Sequence, residues 1–239
     1  MSRIFLVRHA QASFLEPDYD KLSPTGEKQA HLLGEYWASR NIAFDRICTG
    51  PRVRQIDTAK IVAGVYQRLG VAFPGPVVMQ EFDEYQGEDV LRKSAPKLVE
   101  TDAGIRRLDA AFQSAVTPEE KRRAFQRMFE AIVGKWVDGE ILLPDLESWP
   151  EFCARVKRGL SKLTSRGMRG EQVAVFSSGG PIGVAMQRAL NLSPRDALRV
   201  TWMSRNCSFS EFLSSGEKFT LSAFNATPHL DDPSLLTYR

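Results

Sequence analysis

Arg8 and His9 directly follow the apolar run Ile4-Phe5-Leu6-Val7, and that placement sets the chemistry open to them. A short Ile/Leu/Val-rich run ended by a polar break reads as a strand buried on both faces. In open α/β sheets, ligands bind beyond the carboxyl ends of the strands. A permanently charged guanidinium and an imidazole delivered to that edge suit an anionic substrate. Two further apolar runs end in groups of the same kind. Ile47-Cys48 opens into Thr49-Gly50-Pro51 with Arg54 just beyond, and residues 173–176 open into Ser177-Ser178-Gly179-Gly180. Two arginines and a glycine turn that starts a helix suit a phosphoryl group. Guanidinium forks bind its oxygens bidentately, and the helix N-terminus adds donors and a favourable dipole. An imidazole in that setting can attack phosphorus and split one displacement into two. A carboxylic acid must then protonate the leaving oxygen, and Glu81 and Glu84 both lie after a third strand expected at residues 77–79.

These residues need elements to hold them. Ser23, with Pro24 at the first helical position, predicts a helix N-terminus, and Ala30, Leu33 and Trp37 follow at helical spacing. Ile56, Ala59, Ala63 and Tyr66 predict a second helix, and Trp149, Phe152, Val156, Leu160 and Leu163 a third strong one. Another helix runs from the Ser177–Pro181 loop to about Leu190. The tail reads as strands around residues 200–202, 207–213 and 219–224, the last two joined through Ser214-Ser215-Gly216 as a hairpin. Residues 88–147 are charged, poor in β-branched runs and broken by Pro96, Pro118 and Pro144, which reads as two or three inserted helices. The expected architecture is a single α/β domain over residues 1–239, a helix-covered, mostly parallel mixed sheet with that helical insertion. An overhanging insertion would set substrate choice. Its Arg92, Lys93, Lys97, Arg106 and Arg107 could meet further phosphates, although interspersed acids favour solvated helix faces.

Composition removes several function classes. The formal charge of +3, from 32 basic and 29 acidic residues, gives no nucleic-acid platform. No run approaches the ~18 apolar residues of a membrane span. Met1-Ser2-Arg3 leads straight into a core strand, without an apolar secretion segment. Cys48, Cys153 and Cys207 lack paired metal-ligand spacing, so a reduced cytoplasmic setting, no metal and no cofactor are expected. Of the three histidines, His31 reads as exposed on a charged helix, leaving His9 and His229.

The segments resemble the histidine phosphatase superfamily, also called phosphoglycerate mutase-like. Residues 4–11 are similar to its strand and RHG motif. Leu22-Ser23-Pro24-Thr25-Gly26-Glu27-Lys28-Gln29-Ala30 resembles its L-T/S-x-x-G-x-x-Q-A helix start. Thr49-Gly50-Pro51-Arg52-Val53-Arg54-Gln55-Ile56-Asp57-Thr58-Ala59 resembles its S-S-P-x-x-R-A-x-x-T-A segment, and residues 173–182 its V-V-S-H-G-G-x-I strand and turn. The resemblance implies a three-layer α/β/α fold and hydrolysis of phosphomonoesters through a phosphorylated His9. It implies that Arg8 and Arg54 clamp the phosphoryl oxygens, with Ser178, Gly179, Gln11 and Ser13 as further phosphate contacts. Glu84 or Glu81 would be the acid/base, Glu84 fitting the apolar-x-Glu-aromatic pattern slightly better.

Two positions depart from the pattern. Ala10 replaces a glycine, which is tolerable if the backbone there does not need positive φ. Ser178 stands where the family carries a second pocket histidine, and a hydroxyl cannot supply that charge. Losing a charge-assisted donor in a dry pocket would cost about 2–4 kcal/mol of transition-state stabilisation, or about 10²–10³ in rate. Two readings follow. Either a phosphatase survives with serine there, or the chain is a weak or inactive member that binds a phosphate ligand or a partner. His229 is a candidate replacement imidazole. Residues 11–15 lack the longer motif, ending in Trp-Asn, of the dedicated glycolytic mutases. A phosphoprotein substrate is a further alternative. The expected ligand is a small phosphorylated molecule or inorganic phosphate, and an edge strand in the tail permits a homodimer.

Overall fold

The computed structural model describes residues 1–13, 20–164, 170–215 and 218–238. Phe14 and Leu15 of the motif comparison, and Gly216 of the hairpin, lie outside them. Met1–Glu84 with Ala154–Arg239 forms one compact unit, and Tyr85–Cys153 a second.

In the first unit, six strands form a sheet: β1 (Ser2–Arg8), β2 (Arg46–Thr49), β3 (Val77–Val78), β4 (Gln172–Ser177), β5 (Phe209–Ser215) and β6 (Lys218–Ala226), in the order β3-β2-β4-β1-β5-β6. The first four run parallel, and β5 and β6 are antiparallel additions. Arg8 lies opposite Ser177 and Thr49 opposite Phe176, so β1, β4 and β2 end side by side. Parallel register therefore carries the three expected polar segments to one rim.

Helix α1 (Pro24–Ser39) starts as expected, with the Ser23 Oγ accepting from the Gly26 N–H at 3.1 Å. Its buried face and that of α2 (Val53–Arg68) close over Phe5, Val7, Ile47, Ala174 and Phe176. Trp37 lies at the centre, 5.9 Å from Phe5 and 4.9 Å from Phe44 between ring centroids. Full burial of one such side chain stabilises by about 1.5–3 kcal/mol. The alternate residues Ile4, Leu6, Val173 and Val175 are equally buried, as two-sided coverage demands.

The second unit is helical: α3 (Gly87–Thr101), α4 (Ala103–Ser114), α5 (Pro118–Val137) and the start of α6 (Trp149–Leu163), which continues into the first unit. Asp102 caps α4, and Thr117 and Glu120 form a reciprocal capping box on α5. Tyr85, Trp136, Trp149 and Phe152 pack as its aromatic core. The basic residues are partly engaged locally: Arg92 pairs with Asp89, and the Arg106 Nε donates to the Val99 carbonyl. Among the described residues no helix is long and apolar enough to cross a membrane.

Three expectations are corrected. Residues 200–202 are not a strand but the last turn of α8 (Pro194–Met203). The β-branched run hid the Ser193 cap and Pro194, which start a helix that buries Ala197, Leu198 and Thr201. Pro96 does not break α3 but lies inside it. The loop after β4 shrinks to Ser178, because α7 (Gly179–Leu190) begins at once.

Candidate active site

At the end of β1, the His9 backbone is held from both sides. Its N–H donates to the Ser177 carbonyl at 2.7 Å, and its carbonyl accepts from the Cys207 N–H at 3.2 Å and the Asn206 amide at 3.3 Å. Cys207 adopts φ 57°, a strained conformation for a residue with a side chain. Ala10 is fully buried and is not among the positive-φ residues, so alanine fits where glycine is usual. Its N–H donates to the Thr58 Oγ1 at 3.0 Å, tying the loop to α2.

The His9 ring is 95 % shielded, being only 5 % exposed. Its Nδ1 lies 2.7 Å from the Ala10 carbonyl, which can only accept, so the proton is assigned to Nδ1. The Nε2 lone pair accepts from the Arg54 Nε–H at 3.1 Å. Burial first, then the charges of Arg54 and Arg8, hold the imidazole well below its usual pKa, against an opposing pull from the Ala10 carbonyl. The ring is therefore neutral at neutral pH, with its nucleophilic nitrogen facing a guanidinium.

Arg54, at 8 % exposure, is reached through the first turn of α2. Its Nη1 also meets Asp20, with Oδ1 at 2.6 Å, while the Asp20 Oδ2 accepts from the Val53 N–H at 2.9 Å. This carboxylate occupies both a guanidinium and a helix N-terminus, two kinds of partner that suit a phosphate. Replacing Asp20 by asparagine is therefore expected to tighten vanadate binding about two- to fivefold, with the gain shrinking in high salt, since the pair is partly exposed. Titration calorimetry reads it, and weaker or unchanged binding would remove Asp20 as a competitor. Arg8 is partly buried, and its Nη1 donates to the Ser204 carbonyl at the end of α8.

The structure separates the two glutamates. Glu81 pairs with Lys162 on α6, and that bond, more than any other influence, holds its carboxyl below the usual range. Glu84 instead reaches the start of α7, its Oε2 accepting from the Gly180 N–H at 3.1 Å. Arg155 fixes the intervening segment through the Gln80 and Asp83 carbonyls at 3.0 and 3.1 Å. Arg52 pairs with Asp83 at 2.6 Å, and the same carboxylate oxygen accepts from the Glu84 N–H at 2.8 Å.

Ser178 is 1 % exposed, and its Oγ accepts from the Gln55 Nε2 at 2.7 Å. Gln11 and Ser13 serve the start of α1: the Gln11 Oε1 accepts from the Ser23 hydroxyl at 2.8 Å, and the Ser13 Oγ donates to the Leu22 carbonyl at 3.2 Å. His229, the candidate replacement imidazole, packs its ring among aromatics, 6.1 Å from Tyr36 and 6.4 Å from Phe209 between centroids. A Pro-His pair in the tail reads as polar, but its neighbours in space are apolar.

Burial lowers the His229 pKa to about 4, opposed weakly by the Cys207 backbone. Unfolded, this imidazole binds a proton below about pH 6.5, whereas folded it does not until about pH 4. Stability is thus full above that window and falls as pH drops through it, by on the order of 3 kcal/mol. His229→Phe is expected to make the acid-side loss of urea midpoint shallower. An unchanged slope would contradict this burial argument.

A family model described as the histidine phosphatase superfamily (branch 1) matches residues 4–73 and 86–227. The chain belongs to that superfamily. Its fold is shared by YhfR from Bacillus stearothermophilus, at TM-score 0.65 and 15% identity, covering 97% of this chain and 100% of that one. Phosphoserine phosphatase from Entamoeba histolytica, solved with 3-phosphoglyceric acid, superposes at TM-score 0.62 and 18% identity, covering 96% and 100%. A phosphoglycerate mutase from Bacillus anthracis superposes at TM-score 0.61 and 15% identity, covering 96% and 95%. No curated protein matches the chain in sequence. Asp20, Gln55, Thr58 and Asn206 contact these side chains and the backbone that carries them, and residue spacing alone does not single them out. For Gln55 the only signal was its place beside Arg54.

Proposed function

We propose that this histidine phosphatase superfamily member hydrolyses small phosphomonoesters through a phosphohistidine at His9. The observation that carries the reading is the buried, neutral imidazole whose Nε2 lone pair meets Arg54 at 3.1 Å while Nδ1 is tied to a carbonyl. On arrival, the phosphoryl oxygens take over the Arg54 donors, with Arg8 beside them, and Nε2 attacks phosphorus. The P–O bond to the leaving group breaks, and Glu84, as the carboxylic acid, protonates the departing oxygen. Glu84 then accepts a proton from water, whose oxygen attacks phosphorus. The P–N bond breaks, inorganic phosphate leaves, and the imidazole is again neutral. Arginine charge and the α7 N-terminus stabilise the charge that develops on the phosphoryl oxygens. No step passes through a metal.

Ser178 supports a second reading, a phosphate-binding member with little turnover. Release of p-nitrophenol from its phosphate ester, with His9→Ala as control, separates the two. Turnover abolished by the substitution supports the phosphatase. Silence from both proteins, with phosphate still bound, supports the binding protein.

A further inference from the structure

Gln55 and Ser178 are two buried, neutral polar residues, 0 % and 1 % exposed, that meet at 2.7 Å at the rim where His9 lies. The polarity of the contact is fixed. The Gln55 Oε1 accepts from the Arg52 N–H at 3.1 Å, so the amide turns its NH2 toward Ser178, and the Ser178 Oγ must accept. The serine proton then points away from Gln55, and among the described residues nothing accepts it. Nor does the Ser178 oxygen cap the helix. Ser23 and Ser193 each accept from an N–H of the helix they precede, whereas Ser178, at the same position before α7, makes no such bond.

The fit around the amide is tight. A Cβ on Gly50 would lie 2.1 Å from the Gln55 Oε1 and 2.5 Å from the Phe82 carbonyl oxygen, so only glycine leaves room for this side chain. Gly50 and Gln55 stand where the resembling segment is written Ser and Ala, and Ser178 where the turn is written His. Gly50 and Gln55 thus differ from the pattern in addition to Ala10 and Ser178, and one packed unit joins Gly50, Gln55 and Ser178.

We propose that Gln55 is a positioning residue that aims the Ser178 hydroxyl proton at a phosphoryl oxygen, a neutral donor relay in the place of a second imidazole. The proposal rests on the phosphate pocket described above. It makes Ser178 a phosphate contact and requires no charge on the relay, so its contribution does not titrate between pH 5 and 8.

A double-substitution cycle read by vanadate affinity tests it. Gln55→Met keeps the volume but removes the amide donor, and Ser178→Ala removes the hydroxyl. Ser178→Ala is expected to weaken vanadate binding about tenfold or more, as loss of a hydrogen bond to a charged group does. Gln55→Met should weaken it about fivefold, and the double variant no more than Ser178→Ala alone. A merely structural Gln55 would add its full loss in the Ser178→Ala background, and that additivity would overturn the proposal. As a second check, Ser178→His with Gln55→Ala should bind vanadate more tightly as pH falls through the imidazole range, a dependence absent from the unchanged protein. The same acid-side gain in the unchanged protein would also overturn it. If the unchanged protein binds vanadate but shows no turnover, the phosphatase reading falls while the cycle still reads the relay. Additive losses alongside normal turnover leave the phosphatase and remove the relay.

Discussion

His9→Ala is expected to lower p-nitrophenyl phosphate turnover by at least about 10³-fold, to the level of the buffer blank. Alanine cannot form the P–N bond. The fold should survive, because the contacts that hold residue 9 come from its backbone: the N–H to Ser177, and the carbonyl to Cys207 and Asn206. Phosphate binding should survive too, since Arg8 and Arg54 remain and the Arg54 Nε is released from the ring. The pattern is thus a lost kcat with retained vanadate affinity and an unchanged unfolding midpoint. Residual turnover above about one tenth would remove His9 from the chemistry.

The acid/base assignment carries the second large effect. Glu84→Gln keeps the shape and can still accept from the Gly180 N–H, but it cannot exchange a proton. A general acid contributes typically about 10²–10⁴-fold, and the loss should fall on kcat. It should be larger for an alkyl phosphate than for p-nitrophenyl phosphate, because the nitrophenolate departs without much help from a proton. Glu81→Gln should change kcat less than about twofold, since Glu81 is engaged with Lys162. Equal effects from the two substitutions, or the same loss on both esters, would count against Glu84 as the acid.

The pH dependence follows from the His9 environment. Burial and two guanidinium charges depress its pKa, so the nucleophilic form is lost only as pH falls well below the usual imidazole range. Between the usual imidazole range and that depressed value, the unfolded chain binds protons that the folded chain refuses at His9 and His229, so stability declines before the nucleophilic form is lost.

Most of the rim could be read from residue order. The apolar runs that became β1, β2 and β4 are short, bounded and rich in branched residues, and parallel pairing then puts Arg8, Thr49 and Ser177 side by side. The Ser23-Pro24 start of α1 is a local signal and needed no tertiary context. What stayed hidden depends on partners distant in sequence. Lys162 on α6 draws Glu81 away, while Asp83, Arg52 and Arg155 turn Glu84 toward α7, and neither motif spacing nor composition encodes that choice. Asp20, just ahead of α1, pairs with Arg54 from 34 positions away, and no local pattern marks it. Val200, Thr201 and Trp202 carry strand-forming side chains, but the cap and the buried face of α8 outweighed them. His229 looks like an exposed tail residue until Tyr36 and Phe209 close on it.

The central claim, a covalent intermediate on His9, is tested most directly by trapping it. Brief exposure to a 32P-labelled phosphomonoester, quenching in alkali and digestion should leave the label on the peptide containing His9. The bond should survive base and break in acid, as a phosphoramidate does. Turnover that proceeds with no label, or with label on a peptide lacking His9, would contradict the account.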